Sequence, residues 1–181
     1  MTYVEQGHLG GYTPGGDEAT YYPDLWAKVV KALDVETVLD VGCGEGHSLR
    51  YFRDLGCEVT GIEGTPQDDP DIALHDFTER AWSGRAVDLA WCCEFVEHVE
   101  ERFIPNYLPA LTCARVVLMT HAGPGQPGYH HVNCRTADYW HGVMAAIGKR
   151  YDQALTEQTR QWASMNPSPW NHYLRSGMAF R

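Results

Sequence analysis

The chain has 181 residues, 44% of them apolar and 21% charged, which is enough apolar surface for one domain around one core and argues against wholesale disorder. Its formal net charge of −10, with only fourteen Lys and Arg, opposes a phosphate-lined nucleic-acid partner and a polybasic membrane anchor; it suits a small molecule or a polar glycan. No uncharged apolar run approaches the ~18 residues of a membrane span.

Residues 1–20 read as an irregular polar arm, broken by Gly10-Gly11 and Pro14-Gly15-Gly16. The arm lacks the basic and apolar stretches of a signal peptide. Cys43, Cys57, Cys92, Cys93, Cys113 and Cys134 form no CxxC pair, so the expectation is reduced thiols in a cytoplasmic protein. Pro23 opens a helix with Leu25, Trp26, Val29, Val30 and Leu33 on one face. Residues 37–41 form a short apolar run that ends in glycine and reads as a buried strand, followed by a turn and a helix through 48–52.

Further strands are expected at 57–62, 72–74, 87–92 and 115–120, with a largely helical stretch from Phe95 to Leu111 interrupted near Pro105 and Pro109. Strands alternating with helices predict a parallel sheet with right-handed crossovers. After a helix over 138–147, residues 158–163 and 176–180 alternate like two antiparallel strands.

The strongest local signal is Val38-Leu39-Asp40-Val41-Gly42-Cys43-Gly44-Glu45-Gly46, a strand running into three alternate glycines and then a helix. Glycines there allow a sharp turn and close approach of a ligand at the carboxyl ends of the strands. A dinucleotide fingerprint requires GxGxxG, but His47 holds the sixth position, and Asp40 and Glu45 would repel a pyrophosphate. A cationic or zwitterionic ligand suits those two carboxylates. Glu63 follows the next strand at the distance where such folds place a carboxylate that accepts both ribose hydroxyls.

With these residues in view, the sequence resembles the class I S-adenosylmethionine-dependent methyltransferases, specifically the small type 11-like enzymes, over nearly its whole length. Val38 to Gly46 looks like motif I, Glu63 like the ribose-binding acid, His75-Asp76-Phe77 like the adenine segment, Asp88 to Glu94 like motif IV, and Glu97-His98-Val99 like the EHV signature. The resemblance implies an α/β Rossmann-like domain spanning 1–181, with helices on both faces of a seven-stranded, mostly parallel sheet that ends in an antiparallel hairpin. It implies S-adenosyl-L-methionine as cofactor, with Gly42, Gly44 and Gly46 at its methionine half and Asp76 at the adenine amine. Cys43, Gly64, Phe77, Cys93, Glu94 and His98 complete the expected cofactor set.

Methyl transfer needs alignment of the acceptor and, for a hydroxyl, removal of its proton. A Gly/Pro-rich loop leads from His121 to Tyr129-His130-His131-Val132-Asn133. His131 is the expected base and His130 its alternative; the competing reading has both hydrogen-bonding the loop backbone. Glu94 either orients the acceptor or caps the helix after it, and Tyr12, Tyr21, His121 and Asn133 are expected to face the acceptor. Residues 1–22 read as a lid over the site, or else as a frayed terminus. His121, His130, His131 and His141 have no spacing that fixes a metal geometry, so none is expected. The sequence thus predicts methyl transfer to a small-molecule or carbohydrate-like acceptor, at oxygen, against two rivals: a protein or RNA methyltransferase, and a non-catalytic cofactor-binding subunit.

Overall fold

The computed structural model describes residues 7–9 and 14–181. Its strands are β1 (Thr37–Val41), β2 (Glu58–Glu63), β3 (Ile72–Leu74), β4 (Val87–Cys92), β5 (Ala114–Met119) and β6 (Met178–Phe180). They form one sheet in the order β3-β2-β1-β4-β5-β6, parallel throughout except for β6 against β5. The order reverses between β1 and β4, and such a reversal opens a crevice at the carboxyl ends of the strands.

Alternation along each strand divides the core in two. Leu39 and Val41, Ala90 and Cys92, Val117 and Met119, and Met178 and Phe180 pack with Tyr107 and Leu111 of α3 (Ile104–Thr112) and with Trp140 and Met144 of α4 (Ala137–Ala146). Val38, Leu89, Trp91, Val116, Leu118 and Ala179 face the other way. They meet α1 (Pro23–Leu33), α2 (His47–Asp54) and α5 (Gln153–Ala163) through Leu25, Trp26, Val29, Leu49, Phe52 and Leu155. Cys92 and Cys93, adjacent in the chain, pack with different clusters on the two sides of the sheet. The short α6 (His172–Ser176) seats Tyr173 flat against Trp91, with ring centroids 5.2 Å apart.

Two expectations need correction. The described residues form six strands rather than seven, and 158–163, read as a strand, lie inside α5. Leu155, Thr156, Thr159 and Ala163 are buried at helical spacing, and the Asp152 side chain caps the helix by accepting the Leu155 N–H at 2.9 Å. The antiparallel end of the sheet is therefore β6 on β5, and the other edge of β6 meets a bridge between Tyr151 and Phe180 and the Thr156 hydroxyl, which accepts the Ala179 N–H at 2.9 Å. The stretch after Phe95 is also less regular than expected, with 3-10 turns at Val96–His98 and Glu101–Phe103 before α3 begins.

Candidate active site

A cavity of about 1050 Å³ opens at the carboxyl ends of β1, β2 and β4. Gly42 ends β1 with φ 76°, and a Cβ on it would stand 2.5 Å from the Phe95 ring. Only glycine combines that backbone with that neighbour. The next amide that matters is Gly44, which donates to Glu63 Oε2 at 3.0 Å. Glu63 Oε1 accepts from the Thr65 N–H and hydroxyl, each at 3.1 Å. Burial raises the Glu63 carboxyl above its ordinary value against the pull of these donors.

Asp40 is 2% exposed and accepts the Ser48 hydroxyl from the start of α2. Burial, helped by the charge of Glu63 and opposed by Ser48, pushes it up to about 7. Asp76 follows β3, and its Oδ1 accepts from Thr78 N–H at 2.7 Å and Thr78 Oγ1 at 2.8 Å. Its Oδ2 lies 3.0 Å from His8 Nε2. Burial raises the Asp76 carboxyl, but the bonds from His8 and Thr78 override it and hold it below the usual range. Arm residues thus cross this end of the cavity: a Cβ on Gly64 would stand 2.4 Å from the Leu9 side chain.

At the opposite end Glu94 adopts φ 53°. Its N–H donates to Thr120 Oγ1 at 2.7 Å, and the Thr120 hydroxyl donates to Glu94 Oε1 at 2.8 Å. His172 Nδ1 sits 2.9 Å from Glu94 Oε2. Burial works against the charge on each partner, yet their mutual hydrogen bond prevails, lowering the Glu94 carboxyl and raising the His172 imidazole. Beside them Glu97 is fully buried, and burial followed by the charge of Glu94 raises its carboxyl. Burial and then the neighbouring His131 push His98 down to about 4.

Most of the sequence-derived residues meet in this cavity. Asp40, Gly42, Cys43, Gly44, Glu63 and Gly64 line the side formed by β1 and β2, and Asp76 and Phe77 line the end of β3. Cys93, Glu94, His98, His131 and Tyr21 complete the wall. Gly46 is absent from it, since it starts α2 in left-handed geometry against Ile72. His130 turns toward His8 of the arm, with ring centroids 6.5 Å apart. His121 and Asn133 are buried outside the wall: the backbone N–H of His121 reaches Ser176 Oγ at 3.4 Å, and Asn133 Nδ2 donates to the Val96 carbonyl at 3.4 Å. Tyr12 lies outside the described residues.

Sequence reasoning missed His172. Its signal was Asn171, whose side chain caps α6 by accepting the Leu174 N–H at 2.9 Å and so turns His172 toward Glu94. It also missed Asn166, whose Nδ2 ties down the end of the arm through the carbonyls of Glu18 at 2.8 Å and Tyr21 at 2.7 Å.

Comparison with solved structures gives the same architecture. The plantazolicin methyltransferase BpumL, in complex with S-adenosylhomocysteine, matches with a TM-score of 0.58 at 10% identity, covering 90% of this chain and 83% of that one. Magnesium protoporphyrin IX methyltransferase from Synechocystis PCC 6803, with bound S-adenosylmethionine, matches at 0.57 and 12% identity, covering 86% and 73%. The 1,6-didemethyltoxoflavin-N1-methyltransferase of Burkholderia thailandensis matches at 0.55 and 18% identity, covering 71% and 67%. No curated protein matches the chain in sequence. The sequence profile of the methyltransferase domain family matches residues 18–175, which is most of the chain and includes both ends of the cavity, and the chain belongs to that family.

Proposed function

We propose that this protein transfers a methyl group from S-adenosyl-L-methionine to a small-molecule or carbohydrate-like acceptor, at oxygen. The observation that carries the reading is the line of three carboxylates, Asp40, Glu63 and Asp76, at the ends of β1, β2 and β3 along one wall of the cavity. A cationic sulfonium and ammonium suit a wall of that sign. Glu63 spends one lone pair on Gly44 and others on Thr65, and an ionised carboxylate retains further acceptor sites for ribose hydroxyls. Asp76 Oδ2 faces a donor already, the His8 ring, at the place where the adenine amine would donate.

The acceptor then lies toward Glu94, His98 and His131. Its hydroxyl oxygen bonds to the methyl carbon as the carbon–sulfur bond breaks, and the hydroxyl proton departs. His131 offers Nε2 for that proton, because its Nδ1–H is engaged with the Gln126 carbonyl at 3.1 Å. His130 does not line the cavity, and this favours His131 of the two. The net charge of −10 disfavours RNA as acceptor.

The test is incubation with methyl-labelled S-adenosylmethionine and a panel of hydroxylated small molecules and sugars, alongside tRNA and basic peptides. Label transferred to a hydroxyl of a small acceptor, and lost with Glu94→Gln, supports the reading. Label confined to tRNA or peptide, or release of S-adenosylhomocysteine by none of the panel, counts against it.

A further inference from the structure

The loop after β5 gathers three side chains whose lone pairs the fold leaves unused. Glu97 is 0% exposed, and neither of its carboxylate oxygens has a hydrogen-bond partner. His98 buries Nδ1 without a partner, while its ring also meets the backbone of Tyr129. His131 is tied through Nδ1–H to the Gln126 carbonyl, which fixes its tautomer and leaves Nε2 bare. One donor atom from each residue lies within 4.8 Å of the other two. Buried polar groups are rarely orphaned, and the two buried here, Glu97 and His98, together with the half-exposed His131 ring beside them, call for a common partner that accepts lone pairs.

The backbone holds the cluster in place. Val132 and Asn133 donate their N–H groups to the Glu97 carbonyl at 2.9 and 3.1 Å, which pins the loop beside the 3-10 turn Val96–His98. Gly128 makes room for the imidazole, since a Cβ there would stand 2.2 Å from His131 Nε2.

We propose that Glu97, His98 and His131 bind a divalent transition-metal cation at the acceptor end of the cavity. Two imidazoles and a carboxylate suit zinc, manganese, iron or cobalt better than calcium, and three protein ligands leave coordination positions open. His98 and His131 line the cavity, so those positions face it. The backbone carbonyl on His131 Nδ1–H is the outer-shell partner that orients metal-binding histidines. A hydroxyl oxygen bound at an open position is held in place and gives up its proton more readily. With the cation bound, His131 Nε2 is committed to it as a ligand, and the hydroxyl proton passes to the carboxylate of Glu94 at the same end of the cavity instead of to His131. That use of the cation rests on the methyl-transfer reading, whereas the binding of the cation does not.

The test is titration of the full chain, stripped with EDTA and free of cofactor and acceptor, with Co²⁺ alone, followed by calorimetry and by the visible absorption of histidine-bound cobalt. One Co²⁺ binds per chain. Loss of an outer-shell partner weakens metal affinity about 10–100-fold, so His131→Ala and Glu97→Gln, which remove ligands, weaken it at least that much. Gly128→Ala keeps every donor but displaces the ring, and it also weakens binding. His141→Ala, on α4 against Tyr151, leaves binding unchanged and serves as the control. His131→Ala alters a partly exposed loop side chain and keeps the fold, which circular dichroism checks. Absence of saturable binding to the parent chain, or binding undiminished in both His131→Ala and Glu97→Gln, overturns the proposal. Such a failure leaves the methyl-transfer reading standing, because neither cofactor nor acceptor enters the measurement.

Discussion

Glu63 Oε2 accepts the backbone N–H of Gly44 at 3.0 Å, so the carboxylate that ends β2 also fixes the turn that follows β1. Two neighbouring strands thereby share one hydrogen bond at the wall of the cavity. Glu63→Ala frees Gly44 and, on the proposed reading, removes an acceptor for the cofactor ribose. A hydrogen bond to a charged group contributes about 1.5–3 kcal/mol, so affinity for S-adenosylhomocysteine falls by roughly 10–150-fold in calorimetry. Glu63→Gln, which keeps one carbonyl oxygen, loses less. Equal affinities for all three proteins would contradict this role.

Asp40 gives a pH dependence whose sign is fixed. Its carboxyl rises from 3.8 to about 7 in the fold, chiefly through burial. The unfolded chain therefore ionises first, and the stability contributed by neutral Asp40 is full below 3.8 and is lost as pH rises to about 7. Urea titrations across that window show the decline, and Asp40→Asn flattens it. Ligand binding runs the other way, because a cationic ligand prefers the ionised carboxylate. Affinity for S-adenosylmethionine increases through about pH 7 in the parent chain and stays level in Asp40→Asn. A parent chain whose affinity is as flat as that of Asp40→Asn would separate Asp40 from the ligand.

Gly42 tests the packing of the turn. A Cβ at φ 76° is strained, and it would meet Phe95 Cδ2 at 2.5 Å, a side chain that itself packs on Phe77 and Tyr107. Gly42→Ala destabilises by about 2 kcal/mol, which lowers the melting temperature by ~4–8 °C for a chain of this size. An unchanged melting curve would show that Phe95 yields freely.

His172 tests the far end. His172→Ala leaves Glu94 with Thr120 as its remaining side-chain partner in a site where Glu94 is 16% exposed. Leaving Oε2 without its partner costs about 1–3 kcal/mol. His172→Gln restores a donor and recovers part of that loss, visible as a melting temperature between those of the parent chain and His172→Ala. Identical curves for His172→Ala and His172→Gln would mean that the hydrogen bond to Glu94 contributes nothing.

Asp76 was picked out only by the family resemblance, whereas the positions of the glycine turn and Glu63 at strand ends were legible from local chemistry, a tight turn and an acidic residue at short range. The same holds for the apolar runs of β1, β4 and β5, which are buried on both faces and so read as continuous hydrophobic segments. Residues 158–163 misled because Thr159 and Trp162 favour strands by residue type, although their spacing of three is that of a helix face. The cap at Asp152 and burial of Leu155 decided for a helix, and neither lies inside the misread window. His172 stayed hidden because it meets Glu94 across 78 positions of chain, a pairing that no local pattern announces. Glu97, His98 and His131 fall in the same class, since the EHV signature supplies two of them and only the fold brings the third.

The most direct test of the account is calorimetric titration of the chain with S-adenosylmethionine, S-adenosylhomocysteine and NAD, beside an Asp40→Ala, Glu63→Ala double variant. The account predicts binding of both adenosyl ligands, loss of that binding in the variant, and no heat with NAD. Binding of NAD instead, or adenosyl binding that the variant retains in full, would contradict it.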